Sequence, residues 1–275
     1  MRFGIAFANT GPYATPGGAA AMGEAAEAAG FDSVWTVEHV VVPNQYASVY
    51  PYSPTGKMPG AEVFDIPDPL IWLAFVAART TTVSLGTGIL ILPLRNPLVT
   101  AKEVATLDKL SGGRVILGVG IGWLEEEFRF LGADFANRGA CTEEYIEAMR
   151  TLWRDELPSF QGETVQFTEA ISLPRPAAGS VPIGIGGHTR ASARRAGRVG
   201  DGYFPGKGDL PVLLDEMRKA AEEAGRDPDA IEVTAGGADV LAGGQKAADE
   251  IGRLTELGVS RVAIPPLTYY VTASG

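Results

Sequence analysis

The sequence predicts an α/β protein folded as a (β/α)8 TIM barrel, on three observations. Short apolar runs of strand character alternate with helical patterns along the whole chain, and there are eight of them. Gly- and Pro-containing turns separate the runs from the helices that follow. The length, 275 residues, permits a single large barrel as well as two smaller domains. Repeated β-α units with right-handed connections close either as an open doubly wound sheet or as an eight-stranded barrel, and the count favours the barrel.

The first run is 3–8 (FGIAFA), followed by a Gly/Pro break and by 19–29, whose small apolar residues suit a helix lying close to a sheet. Strands are expected next at 33–37 and 83–92. The second is preceded by Leu70, Leu73, Ala74 and Ala77 and followed by Ala101, Val104, Ala105 and Leu107, both sets at helical spacing. Residues 114–119 (RVILGV) form another buried-strand candidate, with a short helix at about 124–131. In 143–153, Tyr145, Ile146, Met149, Leu152 and Trp153 share one stripe, and Thr142 is placed to cap that helix. Further strands are expected at 182–186, 202–204, 231–235 and 261–264, separated by helices at about 190–199, 212–224 and 247–257. Two stretches exceed the repeat, 41–68 and 162–180, and are read as insertions over a site within a single domain spanning 1–275.

Composition narrows the function. With 45% hydrophobic and 20% charged residues the chain has material for a large core. Lys and Arg number 23 against 33 Asp and Glu, a net charge of −10, which disfavours a phosphate-backbone binder, so no nucleic-acid partner is expected. The single cysteine, Cys141, forms no internal disulfide, and the first residues lead into a strand without a cleavable signal pattern. The longest apolar stretches, 70–78 and 115–119, fall far below the ~20 residues that span a bilayer. The expectation is a cytoplasmic protein with no membrane partner.

In a barrel of this kind the functional groups stand where strands end. Glu38 and His39 follow the second strand, and an imidazole at a strand end beside a carboxylate is suited to proton transfer near neutral pH; the competing reading is a hydrogen-bonded structural histidine. Gly186 and Gly187, with His188, Thr189 and a helix from Arg190, allow an anion close to backbone N–H groups and the helix dipole, or simply make a tight turn. Glycines at 86 and 88 permit unusual torsions at the end of the third strand. Trp72, Trp123, Tyr50, Tyr52 and Phe204 are either pocket lining or core, and 125–127 reads as an exposed helical turn from which one glutamate could point inward. Neither histidine has a metal-like partner, so no metal site is expected.

Together SVWTVEH, LGTGILILPLRNP, GGRVILGVGIGWLEEEF and VPIGIGGHTRASARRAGRVGDGYF, in this order, resemble the luciferase-like monooxygenase superfamily, in particular its branch of oxidoreductases that use the deazaflavin coenzyme F420. The resemblance covers nearly the whole chain. It implies a barrel whose C-terminal face holds a flavin or deazaflavin, with a non-prolyl cis peptide between Gly88 and Ile89 behind the tricyclic ring. It further implies cofactor contacts from Glu38, Gly122, Glu126, Ile185, Gly186, Gly187, His188 and Thr189, and a catalytic role for His39 with Glu38. Glu38 stands where many relatives have Asp. Trp123 stands where sugar-phosphate dehydrogenases of the family carry a catalytic Glu, which argues against that substrate and leaves Trp123 as a substrate contact. The acidic tail of F420 requires local cations, for which Arg190, Arg95 and Lys207 are the candidates.

The activity so implied is hydride transfer between F420 and a small organic substrate, with His39 exchanging the proton. Two alternatives keep the barrel: an FMN-dependent monooxygenase, and a non-catalytic flavin- or deazaflavin-binding protein. A phosphosugar isomerase or aldolase would want a strand-end Lys or a carboxylate pair and ranks last. Relatives are often dimers, so a homodimer is possible, with the helix near 145–153 packing either inside or against a partner.

Overall fold

The computed structural model describes residues 1–59 and 65–266. The first half runs β1 (Arg2–Ile5), α1 (Pro16–Ala28), β2 (Ser33–Thr36), α2 (Pro69–Ala77), β3 (Ser84–Thr87), β4 (Leu90–Ile91), α3 (Pro97–Ser111), β5 (Val115–Gly120), α4 (Glu125–Leu131) and α5 (Arg138–Arg154). The second half continues β6 (Phe160–Gln161), β7 (Gln166–Phe167), β8 (Ile183–Gly186), α6 (Arg190–Val199), β9 (Gly202–Phe204), α7 (Leu210–Glu223), β10 (Glu232–Gly236), α8 (Gly244–Glu256) and β11 (Arg261–Ile264).

Eight of these strands pair in parallel in the order β3-β2-β1-β11-β10-β9-β8-β5, and β3 pairs back onto β5 to close a (β/α)8 barrel. Closure is carried by Leu85 opposite Val115, and the first and last strands meet with Arg2 opposite Arg261. Helices cover the outer face, so the strands are apolar on both sides, and all four residues of β2 are buried. Local chemistry sets the helix starts. Proline opens α1, α2 and α3, where a missing N–H costs nothing, and Asp68, Asn96 and Thr189 accept the first N–H groups of α2, α3 and α6.

The N-terminal end of the barrel is plugged. Arg261, 2% exposed, donates to Asp32 Oδ2 at 2.9 Å and to Glu232 Oε2 at 2.7 Å, with its guanidinium 5.4 Å from the Trp35 ring. Above it Ala6, Trp35 and Ala263 form an inner cluster on which Phe7, Ile116 and Phe204 pack. The opposite, C-terminal end is open.

Several expectations change. The first strand stops at Ile5, because Phe7 takes a left-handed backbone (φ 55°). The run at 83–92 is two strands, β3 and β4, broken at Gly88-Ile89, where the peptide bond is cis. Thr142 does not cap α5: the helix starts at Arg138, and Thr142 lies inside it, buried, with its hydroxyl donating to the Arg138 carbonyl at 2.7 Å. The stripe on α5 faces inward, with Ile146 and Met149 fully buried and Trp153 Nε1 donating to Ala101 O. Residues 162–180 do not cover the open end. The β6–β7 hairpin is held on α5 by Glu144, which accepts from Thr164 N and Val165 N at 2.8 Å each, and Ala177 N donates to Asp108 at 2.8 Å on the side where β5 begins. Of the two insertions, the described part of 41–68 is the one that lies over the rim.

Candidate active site

The open end of the barrel holds a cavity of ≈ 840 Å³, and each of the eight barrel strands contributes to its wall through its end or the loop that follows. That volume lies within the range of sites for small molecules and cofactors, about 300–1,000 Å³.

His39 reaches this wall because β2 is pinned from below. Asn9, fully buried, accepts from Val37 N at 2.9 Å and donates to Val37 O at 2.9 Å and Pro67 O at 3.1 Å, which ties the end of β2 to the end of the lid segment. His39 Nδ1 lies 2.8 Å from Glu127 Oε2, and the Trp123 indole N–H donates to His39 Nε2 at 3.3 Å. An indole N–H can only donate, so Nε2 carries the lone pair and Nδ1 carries the proton that Glu127 accepts. The pair is shielded: the side chains are 9% and 1% exposed. Glu127 is itself fixed, because its other oxygen accepts from Val40 N at 2.6 Å and Val41 N at 3.1 Å.

Glu38 lines the cavity, but both of its oxygens are engaged below the wall. Ile91 N donates to one, and Arg95 donates to the other through Nε at 2.8 Å and through Nη2. Burial holds the Glu38 carboxyl above its ordinary range, against the smaller downward pull of the Arg95 guanidinium. The pair clamps β4 and the cis Gly88-Ile89 bulge to the end of β2. Gly88 and Ile89 both face the cavity. Gly122, also in the wall, has φ 75°, and a Cβ there would stand 2.7 Å from Phe128 Cε2, so only glycine fits.

At the far side of β8 the wall turns through Gly186, Gly187, His188 and Thr189 into α6. Thr189 and Ser192 form a capping box that fixes the first turn. Gly187 has φ 136°, and its carbonyl accepts from the Tyr203 hydroxyl at 3.1 Å. His188 Nδ1 lies 3.1 Å from the Tyr52 hydroxyl; burial, and then the Lys207 ammonium, holds this imidazole below its usual range, so it is neutral at pH 7. Beside the same helix stands Arg138. Its guanidinium lies over Phe135 (3.7 Å) and donates to Phe135 O at 2.6 Å, while its buried Nε has no partner. Among the described residues no carboxylate forms an ion pair with Arg138, whereas its neighbour Arg195 is paired with Glu143 at 3.1 Å.

The lid is an aromatic ladder. Trp123 meets His39, Tyr46 and Tyr50 edge-on at 5.7, 5.6 and 5.1 Å, and Tyr50 meets Tyr52 at 5.5 Å. Glu126 anchors it, accepting from Ala47 N at 2.6 Å and from Ser48 Oγ at 2.7 Å. Against a burial penalty, the Ser48 hydroxyl and the backbone N–H groups hold Glu126 down at about 2.

The structure thus brings Glu38, His39, Gly88, Ile89, Gly122, Trp123, Gly186, Gly187, His188 and Thr189 to one cavity. Three residues expected there stand outside its wall: Glu126 holds the lid, Ile185 is buried in the barrel, and Lys207 donates to Pro51 O of the lid. Trp72 is core, 3% exposed, with its indole on Tyr13 O. The cations named for an anionic tail are otherwise employed: Arg95 by Glu38 and Asp68, Arg190 by Glu216 at 3.3 Å. Of the glutamates at 125–127, Glu127 is the one that turns inward onto His39, while Arg138 and Asn9 are not among the residues the sequence singles out. Among the described residues there is no cluster of three metal-binding side chains, and no helix is long and apolar enough to cross a membrane.

A barrel with an open carboxyl-side rim, a cis bulge at its third strand and a glycine turn at its fifth defines a class, and comparison with known proteins agrees. The chain belongs to the luciferase-like monooxygenase family, whose profile matches residues 1–255. An uncharacterised protein of Mycobacterium tuberculosis is 34% identical over 74% of this chain and 72% of its own length. A protein of Kineococcus radiotolerans named F420-dependent glucose-6-phosphate dehydrogenase is 36% identical over 80% of this chain, which spans 62% of that relative. Among solved structures, the monooxygenase RslO1 from Streptomyces bottropensis superposes with a TM-score of 0.69 at 29% identity, covering 94% of this chain and 77% of that one. The protein is therefore an enzyme of the luciferase-like family, and F420-dependent redox chemistry occurs among its relatives.

Proposed function

We propose that the protein is an F420-dependent oxidoreductase that moves a hydride between the deazaflavin and a small organic substrate, and that His39 exchanges the accompanying proton. The observation that carries the reading is the His39–Glu127 pair at the cavity wall, with a buried carboxylate on Nδ1 and a basic Nε2 beside Trp123. When bound, the coenzyme supplies a two-electron hydride donor or acceptor. The residues present fit it. Gly88 and Ile89 offer a narrow ledge for a planar ring, and at the other end the unpartnered Nε of Arg138 and the glycine turn before α6 fit an anionic tail.

In this reading His39 holds or releases the proton at Nε2, and Glu127 stabilises the imidazolium through Nδ1. Glu38 acts as a positioning residue, since Arg95 and Ile91 N occupy its oxygens. The lid residues Tyr50 and Trp123 exclude water from the ring face. FMN with oxygen is the second reading, favoured by the likeness to the monooxygenase RslO1. Titrating the full chain with F420 and, separately, with FMN tests the choice: binding of F420 at least ~10-fold tighter supports the proposal, and a preference for FMN overturns it.

A homodimer is proposed on the outer face of α2 and α3, where Ile71, Phe75 and Val99 are 73%, 46% and 55% exposed; sedimentation at two concentrations tests it. A reducing, cytoplasmic setting is the reading that suits a chain with one cysteine.

A further inference from the structure

The cavity is asymmetric, and its second half speaks to the substrate. The ledge at Gly88-Ile89, the glycine turn and Arg138 occupy the side under β3, β5 and β8. The remaining side, above β10, β11 and β1 and beneath the lid, is lined by Phe7, Tyr13, Val49, Met58 and Ile66. Its charged wall residues are Asp239 and Glu250, both acidic. The cations nearest them, Lys246 and Arg253, are already paired with these carboxylates at 3.1 and 2.8 Å and are 68% and 52% exposed. Lys57 of the lid is turned away onto Tyr46 O, at 2.7 Å. The stretches 60–64 (GAEVF) and 267–275 (LTYYVTASG) contain no Lys or Arg at all. A phosphate or carboxylate placed on this side would therefore lose hydration and find only exposed cations that are already paired with Asp239 and Glu250.

Besides those two carboxylates, a pair of ring nitrogens interrupts the apolar wall. His39 Nε2 and Trp123 Nε1 stand 3.3 Å apart, close enough for two N–H groups to converge on one oxygen with two lone pairs once the imidazole is protonated. We infer that the substrate is a neutral, mainly apolar carbonyl compound, or the alcohol derived from it, whose oxygen docks between His39 and Trp123. The inference rests on the F420 reading above. The balanced step is as follows: the carbonyl carbon accepts a hydride from the reduced deazaflavin, the C=O π pair moves onto oxygen, and that oxygen takes the proton from His39 Nε2. Ketone, hydride and proton give the alcohol; the deazaflavin is oxidised by two electrons, and His39 keeps its Nδ1 proton, hydrogen-bonded to Glu127, throughout.

A matched pair of ketones tests this with the full chain. 4-Methylacetophenone and 4-acetylbenzoate have nearly the same shape and differ in charge, and glucose 6-phosphate with oxidised F420 serves as the anionic sugar. F420 affinity is measured first, by quenching of deazaflavin fluorescence. Oxidation of reduced F420 is then followed at its visible absorbance band, and ketone binding without coenzyme is read from tryptophan fluorescence. The expected result is tight F420 binding, quenching by the neutral ketone alone, and kcat/KM for 4-methylacetophenone at least ~100-fold above that for 4-acetylbenzoate, with no turnover of the sugar phosphate. An Ile66→Lys variant should lower that ratio at least ~10-fold with F420 affinity unchanged. F420 binding accompanied by equal or better use of either anion, or by no use of the neutral ketone, overturns the substrate class and leaves the coenzyme reading standing. Failure to bind F420 overturns both.

Discussion

Replacing Glu127 by Gln keeps the volume of the side chain and removes its charge. The carboxylate now accepts from His39 Nδ1 at 2.8 Å, Val40 N at 2.6 Å and Val41 N at 3.1 Å. An amide can retain the two backbone donors with its oxygen, which turns its NH2 group toward His39. Nδ1 must then accept instead of donate, and the proton moves to Nε2, where it points at the Trp123 N–H. Two effects add up: the imidazolium loses a charge-assisted hydrogen bond, about 1.5–3 kcal/mol, and the resting tautomer no longer has a basic Nε2. At 1.4 kcal/mol per decade the first alone lowers turnover about 10- to 100-fold. Because the chain has only two histidines, the tautomer is directly visible by imidazole nitrogen NMR, with His39→Gln assigning the signal. Wild type should show Nδ1 protonated and the variant Nε2 protonated, with F420 affinity within about twofold of wild type. A Glu127→Gln protein with unchanged turnover and an unchanged tautomer would refute the role given to this pair.

Three further outcomes are expected. Arg138→Ala should weaken F420 binding about 10- to 100-fold and flatten its dependence on ionic strength, measured by titration at two salt concentrations, because Arg138, whose Nε has no partner, is the cation in the wall nearest α6. Asn9→Ala leaves the N–H and C=O of Val37 without partners inside the protein, so urea unfolding should show a loss of about 2–4 kcal/mol; a loss below ~0.5 kcal/mol would contradict the anchoring role. Glu126 titrates at about 2 when folded against an ordinary 4.5, so its contribution is complete above the ordinary value and is lost as the pH falls from about 4.5 toward 2. The fluorescence of Trp123, which meets Tyr46 and Tyr50 edge-on, should report lid release over that window in wild type, and the same change should be present already at neutral pH in Glu126→Gln; identical acid profiles for the two proteins would count against it.

The barrel was legible because each unit carries its own signals: a short apolar run, a proline or a capping residue, then a small-residue helix face. His39 and the glycine turns were legible for the same reason, since strand ends in this fold face the ligand. Glu127 was hidden among three consecutive glutamates. The signal existed: Leu124 and Phe128 are buried and four apart, and Glu127, three after Leu124, lies on their face of the helix. Arg138 was missed because Thr142 has the residue type of a cap while Asn137, which precedes the true start, makes no capping hydrogen bond with its side chain. Asn9 sits in an irregular loop where no period exposes a partner. The stretch 162–180 exceeds the β-α repeat and so reads as an insertion over the site, yet its extended residues 166–167 pair with 160–161 just before it, and Glu144 holds this hairpin on the flank of α5.

Glu126 and Glu127 are neighbours in sequence and do different work from one helical turn. Glu126 faces the lid at Ala47 and Ser48, and Glu127 faces His39 while also holding Val40 and Val41, where the same lid begins. Seating the lid and orienting the imidazole therefore draw on a shared set of hydrogen bonds. If the lid swings away at its root, Val40 and Val41 leave Glu127, and the carboxylate that directs the His39 proton is free to turn toward water. The base is thus correctly set when the aromatic ladder is in place and the cavity is dry, which is also when a hydride would be protected from loss to solvent.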